Sequence, residues 1–129
     1  MPADELPEDV MAFIARRIDS VPHLEALLLL CGDAAVHWSD ETLAQRVYVS
    51  RERAAVLLAD LARLGLLAPV GGAGGGYRYD GSWDTGGLMA RVAETYRRHL
   101  VPVSRFIHAK SASGAVHEFA RAFEFKRRD

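Results

Sequence analysis

Apolar residues recur at helical spacing through the first quarter of the chain. Residues 8–20 carry a stripe of side chains three or four positions apart, formed by Val10, Phe13, Ile14 and Ile18. This spacing predicts an N-terminal helix with acidic residues in its first turn. The run from His23 to Cys31 is apolar at most positions, which predicts a second helix that is buried on most sides and ends at Gly32. Ser20-Val21-Pro22 is expected to separate the two helices.

A short helix, a tight turn and a longer helix are predicted next. Ser39 is a good N-cap for a helix from about Asp40 to Arg46, since its hydroxyl accepts a hydrogen bond from a backbone N–H of the first turn. Residues 47–49 interrupt the helical pattern, and Ser50 offers a second N-cap. An apolar stripe then resumes at helical spacing with Ala54, Leu57, Leu58, Leu61 and Leu64. The longer helix is therefore expected to pack on one face and expose the other.

A β-hairpin is predicted after the longer helix. Gly65 is expected to stop that helix in a left-handed conformation, and residues 66–70 continue as an extended segment. Residues 71–76 contain only glycine and alanine, which is typical of a flexible tip, and Tyr77–Tyr79 forms the returning strand. Because two strands alone are marginal, a third strand from Val36 to Trp38 is an expected support.

The C-terminal third predicts two more helices. Apolar residues recur at three- or four-residue steps from Leu88 to Val103, which predicts a helix of about five turns that Pro102 kinks or divides. Residues 108–114 are expected to form a polar link. A last amphipathic helix then places Val116, Phe119, Ala120 and Phe123 on one face before a basic tail.

Composition and charge narrow the class of protein. The chain has 129 residues, half of them apolar, with a net charge of −1 and one cysteine, which fits a single domain spanning 1–129 without a stabilising disulfide or metal. Residues 1–45 hold nine acidic and two basic side chains, whereas residues 46–129 hold eight acidic and fourteen basic ones. This asymmetry is compatible with a basic face for a polyanion. No signal peptide or membrane span is expected, and we predict a cytoplasmic protein.

Candidate chemistry is sparse along the chain. The five histidines and the single cysteine lack the spacing of a metal site, and no nucleophile elbow or phosphate-binding loop is present. We therefore expect no cofactor, no metal and no enzymatic activity. Cys31, at the end of the apolar second helix, is expected to be a buried and inert thiol.

The centre of the chain resembles winged helix-turn-helix proteins. The resemblance covers about 23–79 and is carried by Trp38-Ser39, Leu43-Ala44, Val47, Val49-Ser50, the following leucine stripe, Leu64-Gly65-Leu66-Leu67 and the glycine-tipped hairpin. With a helix at 8–20 before it and helices over 86–125 after it, the layout is similar to bacterial regulators of the MarR or PadR type. The resemblance implies a mainly α fold with a small β-hairpin wing, and a DNA-binding transcriptional regulator.

Candidate DNA-binding residues follow from this resemblance. It implies that the helix over about 50–64 enters the major groove of double-stranded DNA with its amino-terminal end at the bases. Arg51 is then expected to pair with guanine, while Ser50 and Arg53 hold phosphates. Arg46 is expected to bind a backbone phosphate. Arg78, on the returning strand, is the candidate DNA contact of the wing. The wings of such families often carry an arginine or lysine at the tip, where this chain has only glycine and alanine.

A homodimer is also implied, because the terminal helices form the dimer in these families. A two-fold dimer would space two recognition helices by about 34 Å, one turn of DNA. The alternative for these apolar side chains is burial within the core of a single chain. The residues expected at the interface are Leu88, Val92, Tyr96, Val103, Phe119 and Phe123.

Other interpretations stay open. The arginines would have no DNA partner if they were solvated or paired with Glu52 and Asp60. The face formed by Ala55, Val56 and Ala59, or the aromatic terminal helix, is compatible with a protein–protein interaction module that does not bind DNA. A small-molecule effector or a protein partner is compatible with the resemblance, but no polar cluster in the sequence marks its site.

Overall fold

The computed structural model describes residues 6–71, 76–84 and 86–110, which form a mainly helical fold with a small two-stranded antiparallel sheet. The predicted helix that carries Phe119 and Phe123 lies outside the described residues, as do the basic tail and most of the glycine-rich tip. In the described part of the chain, no helix has both the length and the apolar character needed to cross a membrane.

The first two helices are α1 (Glu8–Arg17) and α2 (Val21–Gly32). The prediction that Val21 and Pro22 separate them is wrong, because both residues lie in the first turn of α2. Proline is accommodated there since the N–H that it lacks has no partner within a first helical turn. The Ser20 side chain caps α2 by accepting a hydrogen bond from the backbone N–H of His23.

The predicted short helix and longer helix are present as α3 (Asp40–Val47) and α4 (Arg51–Arg63), separated by a turn. Ser39 caps α3 in a reciprocal arrangement with Thr42. Ser50 caps α4 by accepting a hydrogen bond of 3.0 Å from the backbone N–H of Arg53. Both predicted N-caps are therefore confirmed, and each fixes the residue at which its helix begins.

The chain leaves α4 through Gly65, whose φ of +82° confirms the predicted left-handed conformation. It continues into β1 (Leu67–Pro69), which pairs with β2 (Tyr77–Tyr79) in an antiparallel hairpin. The predicted third strand is reduced to one residue, because only Trp38 exchanges backbone hydrogen bonds with Tyr77, of 2.6 and 2.8 Å.

The two C-terminal helices differ from the prediction. Helix α5 (Leu88–Arg98) ends at His99, which has non-helical dihedral angles, and helix α6 occupies residues 100–110. The break therefore comes three residues before Pro102, because a proline fits the first turn of a new helix better than the interior of a continuous one. Residues 108–110 are helical, so the predicted polar link is wrong there, and residues 111–114 lie outside the described residues.

Helix α2 is the centre of the core. It packs against α3, α4, α5 and β2, while α1 packs against α5. The fully buried side chains come from nearly every element and include Ile14, Leu24, Leu27, Leu30, Leu43, Leu57, Leu61, Met89 and Ile107. This core fixes the positions of α3, α4 and the hairpin relative to α2.

Candidate nucleic-acid interface

Helix α4 has one buried and one exposed face. Its buried face is made of Ala54, Leu57, Leu58 and Leu61, which pack against α2 and α3. The opposite face is exposed. Its exposed members are Arg51, Glu52, Arg53, Ala55, Val56, Ala59 and Arg63. The helix therefore presents this face to solvent from its first turn to its last.

The hairpin borders the same surface. A cleft of about 260 Å³ is lined by Ser39 and Asp40 at the start of α3, by Ala55 and Leu58 of α4, and by Gly76 and Tyr77 at the start of the returning strand. The exposed face of α4 and the base of the hairpin thus lie side by side. A ligand that covers α4 would also meet the hairpin.

Arg51, the predicted base contact, lies in the first turn of α4. Its guanidinium is 3.5 Å from the carboxylate of Asp40, and both side chains are exposed. An exposed pair of this kind contributes no more than about 1 kcal/mol to stability, because water screens both charges. Arg51 can therefore exchange Asp40 for a ligand at little cost.

Arg46, the first predicted phosphate contact, lies in the last turn of α3. Its guanidinium stacks over the buried ring of Trp38 at 5.6 Å from the ring centroid. A cation is favoured at this position both by the ring and by the carboxyl end of the helix. The side chain is exposed, so its charge faces solvent while its position is restrained.

Ser50 and Arg53, the other predicted phosphate contacts, both lie at the amino end of α4. The Ser50 hydroxyl accepts the hydrogen bond that caps the helix and retains its own O–H as a donor. The exposed guanidinium of Arg53 has no hydrogen-bond or ion-pair partner within the described ranges. Its charge is therefore available to an anionic ligand.

Arg78, the predicted wing residue, is the middle residue of β2 and pairs with Ala68. Its side chain is exposed, whereas the neighbouring Tyr79 is buried, as strand alternation requires. Hydrogen bonds from Ser82, assisted by the Arg78 charge, hold the pKa of Asp80 below its usual range. The carboxylate of Asp80 is therefore close enough to the guanidinium of Arg78 for the two charges to interact.

The turn between α3 and α4 contains a residue that sequence reasoning missed. Tyr48 ends α3 with φ 58° and ψ 48°, in the left-handed region, and its backbone N–H donates to Ala44. Its side chain is 93% exposed. An L-residue other than glycine costs roughly 1–2 kcal/mol in this conformation. The sequence signal was available, since a tight turn just before a serine N-cap calls for glycine or asparagine, and tyrosine stands there instead.

Polar contacts fix α4 on the rest of the fold. The buried imidazole of His23 lies between the Ser20 hydroxyl, 2.6 Å from Nδ1, and the Asp60 carboxylate, 2.8 Å from Nε2. Arg17 of α1 donates to the carbonyl of Leu64 at the end of α4, at 2.7 Å. Burial raises the pKa of Asp60, but hydrogen bonds from His23 and Arg63 outweigh burial and hold it below its usual range.

Four residues predicted for the dimer interface belong to the described part of the chain, and they lie mainly in the core of the single chain. Val92 and Val103 have no exposed surface, Leu88 is half-buried, and Tyr96 is buried with its hydroxyl donating to Glu25 at 2.9 Å. Burial and the Glu25 carboxylate raise the pKa of Tyr96 to about 12. Packing within one chain therefore accounts for the helical spacing of these residues. Phe119 and Phe123 lie outside the described residues.

The remaining candidate chemistry is limited. Cys31 is half-buried rather than buried as predicted, and this partial burial raises the pKa of its thiol, so the thiol is protonated at neutral pH. Within residues 6–71, 76–84 and 86–110, no group of three or more His, Cys, Asp or Glu side chains is placed to share a metal ion.

Known proteins do not identify a family for this chain. No protein-family model matches it, and neither a curated protein nor a solved structure matches it.

Proposed function

We propose that the protein is a winged helix-turn-helix transcriptional regulator that binds double-stranded DNA. In this proposal α3 and α4 form the helix-turn-helix, β1 and β2 form the wing, and α4 is the recognition helix. The observation that carries the proposal is the exposed, arginine-bearing face of α4, which is bordered by the hairpin. The major groove of B-DNA has the width to admit one α-helix.

The arginines of the surface have distinct roles in this proposal. Arg51, whose pairing with Asp40 is weak, reads a base edge from the first turn of α4, where a guanidinium pairs with the acceptors of guanine. Arg46 and Arg53 hold phosphates on either side of the turn, with the Ser50 O–H as a further donor. Arg78 contacts the backbone from the wing.

The acidic residues of the same surface limit its affinity for DNA. Asp40 and Glu52 lie beside Arg51 and line a second depression together with Ala55. Their carboxylates repel phosphates, so binding depends on the arginines and weakens as salt screens them. We expect stronger salt sensitivity in variants that retain the arginines than in variants that lack them.

We also propose that the regulator acts as a homodimer. Two recognition helices must be about 34 Å apart to enter successive major grooves on one face of DNA. Because Val92 and Val103 are buried within the chain, the contact involves other parts of the C-terminal region. Light scattering at micromolar concentration gives twice the mass of one chain if this part of the proposal is right, and the mass of one chain if it is wrong.

The DNA-binding proposal is tested by fluorescence anisotropy with two labelled duplexes, one from upstream of the protein's own gene and one scrambled. Arg51→Ala is expected to reduce the preference for the native duplex. Arg46→Ala and Arg53→Ala are expected to weaken binding to both duplexes and to flatten the salt dependence by about 0.9 in log–log slope per lost phosphate contact. Arg16→Ala is a matched control, because Arg16 is an exposed arginine of α1, outside the proposed DNA-binding and dimer-forming parts of the chain.

Two results would contradict this assignment. If wild type binds neither duplex at low salt, the protein is not a DNA-binding regulator. If wild type binds and the Arg46, Arg51 and Arg53 variants all bind as wild type does, α4 is not the recognition helix.

A protein-binding module is the second candidate function. It is favoured by Val56, whose side chain is 46% exposed between two exposed alanines on α4. A Val56→Glu variant that loses capture of a protein partner, from a wild type that has no affinity for DNA, would support this alternative.

A further inference from the structure

The backbone at position 48 needs a left-handed residue, but it does not need tyrosine. The left-handed conformation ends α3 and turns the chain towards the Ser50 cap of α4. Glycine adopts it without strain, and asparagine adopts it more readily than other residues. The turn therefore explains the backbone conformation at this position and leaves the choice of side chain unexplained.

The Tyr48 side chain has no role in holding the described fold together. It is 93% exposed and has no hydrogen-bond partner in the part of the chain that the structure describes. The other three tyrosines differ: Tyr79 and Tyr96 are buried, and Tyr77 is half-buried against the core. An aromatic side chain kept exposed on a strained backbone points to a contact with another molecule.

The surroundings of Tyr48 indicate the chemistry of that molecule. The exposed guanidinium of Arg46 lies two residues before it, and the exposed Arg53 lies in the first turn of α4. Resting on the proposed function, this turn borders the end of α4 that enters the major groove, where the edge of the groove is sugar and phosphate. A phenol matches that edge, because its ring packs on a deoxyribose and its hydroxyl donates to a phosphate oxygen.

We propose that Tyr48 is a DNA-backbone contact, with its ring against a deoxyribose and its hydroxyl donating to a phosphate at the edge of the major groove. This contact adds affinity without reading sequence. It also adds no counterion release, because a hydrogen bond from a hydroxyl does not neutralise the phosphate charge as a guanidinium does. Tyr48 thereby differs from the flanking arginines in a measurable way.

The test uses Tyr48→Asn and Tyr48→Phe in the anisotropy titration, at two or more salt concentrations. Asparagine retains the left-handed backbone and removes the ring, whereas phenylalanine retains the ring and removes the donor. Tyr48→Asn is expected to weaken binding to the native and the scrambled duplex alike by about tenfold, with an unchanged salt slope. Tyr48→Phe is expected to weaken DNA binding less than Tyr48→Asn does. Melting temperatures of both variants should not fall below that of wild type.

Val36→Ala is the matched control, since Val36 is another large side chain with an exposed surface, on the segment between α2 and α3, and this variant should bind as wild type does. If wild type binds DNA and Tyr48→Asn binds equally well, the Tyr48 contact is overturned while the proposed function stands. A loss confined to the native duplex would replace the backbone contact with a base contact and would overturn the proposal as stated. If wild type binds no duplex, the proposed function and this contact fail together.

Discussion

Among the described residues of the α3–α4–hairpin region, Tyr48, Gly65 and Gly76 have positive φ, and Tyr48 and Gly76 have it for different reasons. At position 48 the turn requires a left-handed backbone, and the residue there is a tyrosine whose side chain is exposed to solvent. At Gly76 the backbone has φ +106°, and a Cβ atom would lie 2.6 Å from the carbonyl oxygen of Trp38. Glycine is therefore required at 76 by close packing, whereas tyrosine at 48 calls for an explanation outside the chain.

Replacing Gly76 by alanine is expected to destabilise the protein by about 2 kcal/mol or more. The added methyl would both strain the backbone and push β2 away from Trp38, which removes the paired hydrogen bonds with Tyr77. Gly71→Ala is the control, because a Cβ there would have no atom within 4 Å. Chemical denaturation measures both variants. Equal free energies of unfolding for the two would contradict the close approach at Gly76.

At the scale of elements, the sequence predicted what local rules determine. The N-caps Ser39 and Ser50 and the left-handed Gly65 that ends α4 were predicted correctly, because N-caps and helix-ending glycines depend only on residues within one helical turn. The break at His99 was placed near Pro102 because sequence alone does not distinguish a proline that kinks a helix from one in its first turn. The His23–Asp60 contact and the approach of Gly76 to Trp38 join distant segments, so no local pattern reports them.

The contact between α2 and α4 should contribute measurably to stability. Asp60→Ala leaves the buried Nε2 of His23 without its acceptor, and we expect a loss of about 1–3 kcal/mol at neutral pH. The pKa of Asp60 is lower in the folded state than in the unfolded state. Its ionised form therefore stabilises the fold fully at pH values above the unfolded pKa of about 4. This stabilisation is lost as the pH falls through the pKa of the folded state.

Denaturation of wild type and Asp60→Ala from pH 7 downwards checks this prediction. The difference in unfolding free energy should shrink below about pH 4, once the carboxylate is protonated. Glu52→Ala, an exposed carboxylate on the same helix, is expected to change stability by less than about 0.5 kcal/mol. A difference between wild type and Asp60→Ala that is independent of pH would contradict the ionic part of the contact.

At the scale of the whole molecule, α2 contacts α3, α4 and β2 as well as α5, and Val103 and Ile107 of α6 belong to the same buried core. The resemblance in sequence predicted a DNA-binding surface on α3, α4 and the hairpin and a dimer interface on the C-terminal helices. The positions of Arg46, Arg51 and Arg53 around one turn are compatible with the first prediction. The predicted dimer interface does not include Val92 and Val103, which are buried in the core of one chain. Helical periodicity alone does not distinguish a core residue from an interface residue.

The central claim, that α3, α4 and the hairpin form the DNA-binding unit, is tested most directly by hydrogen–deuterium exchange with and without duplex DNA from upstream of the protein's own gene. Binding is expected to slow amide exchange in residues 46–56 and in Tyr77–Tyr79, and to leave the amides of Leu88–Arg98 unchanged. Protection confined to Leu88–Arg98, or no protection anywhere at low salt, would contradict the claim.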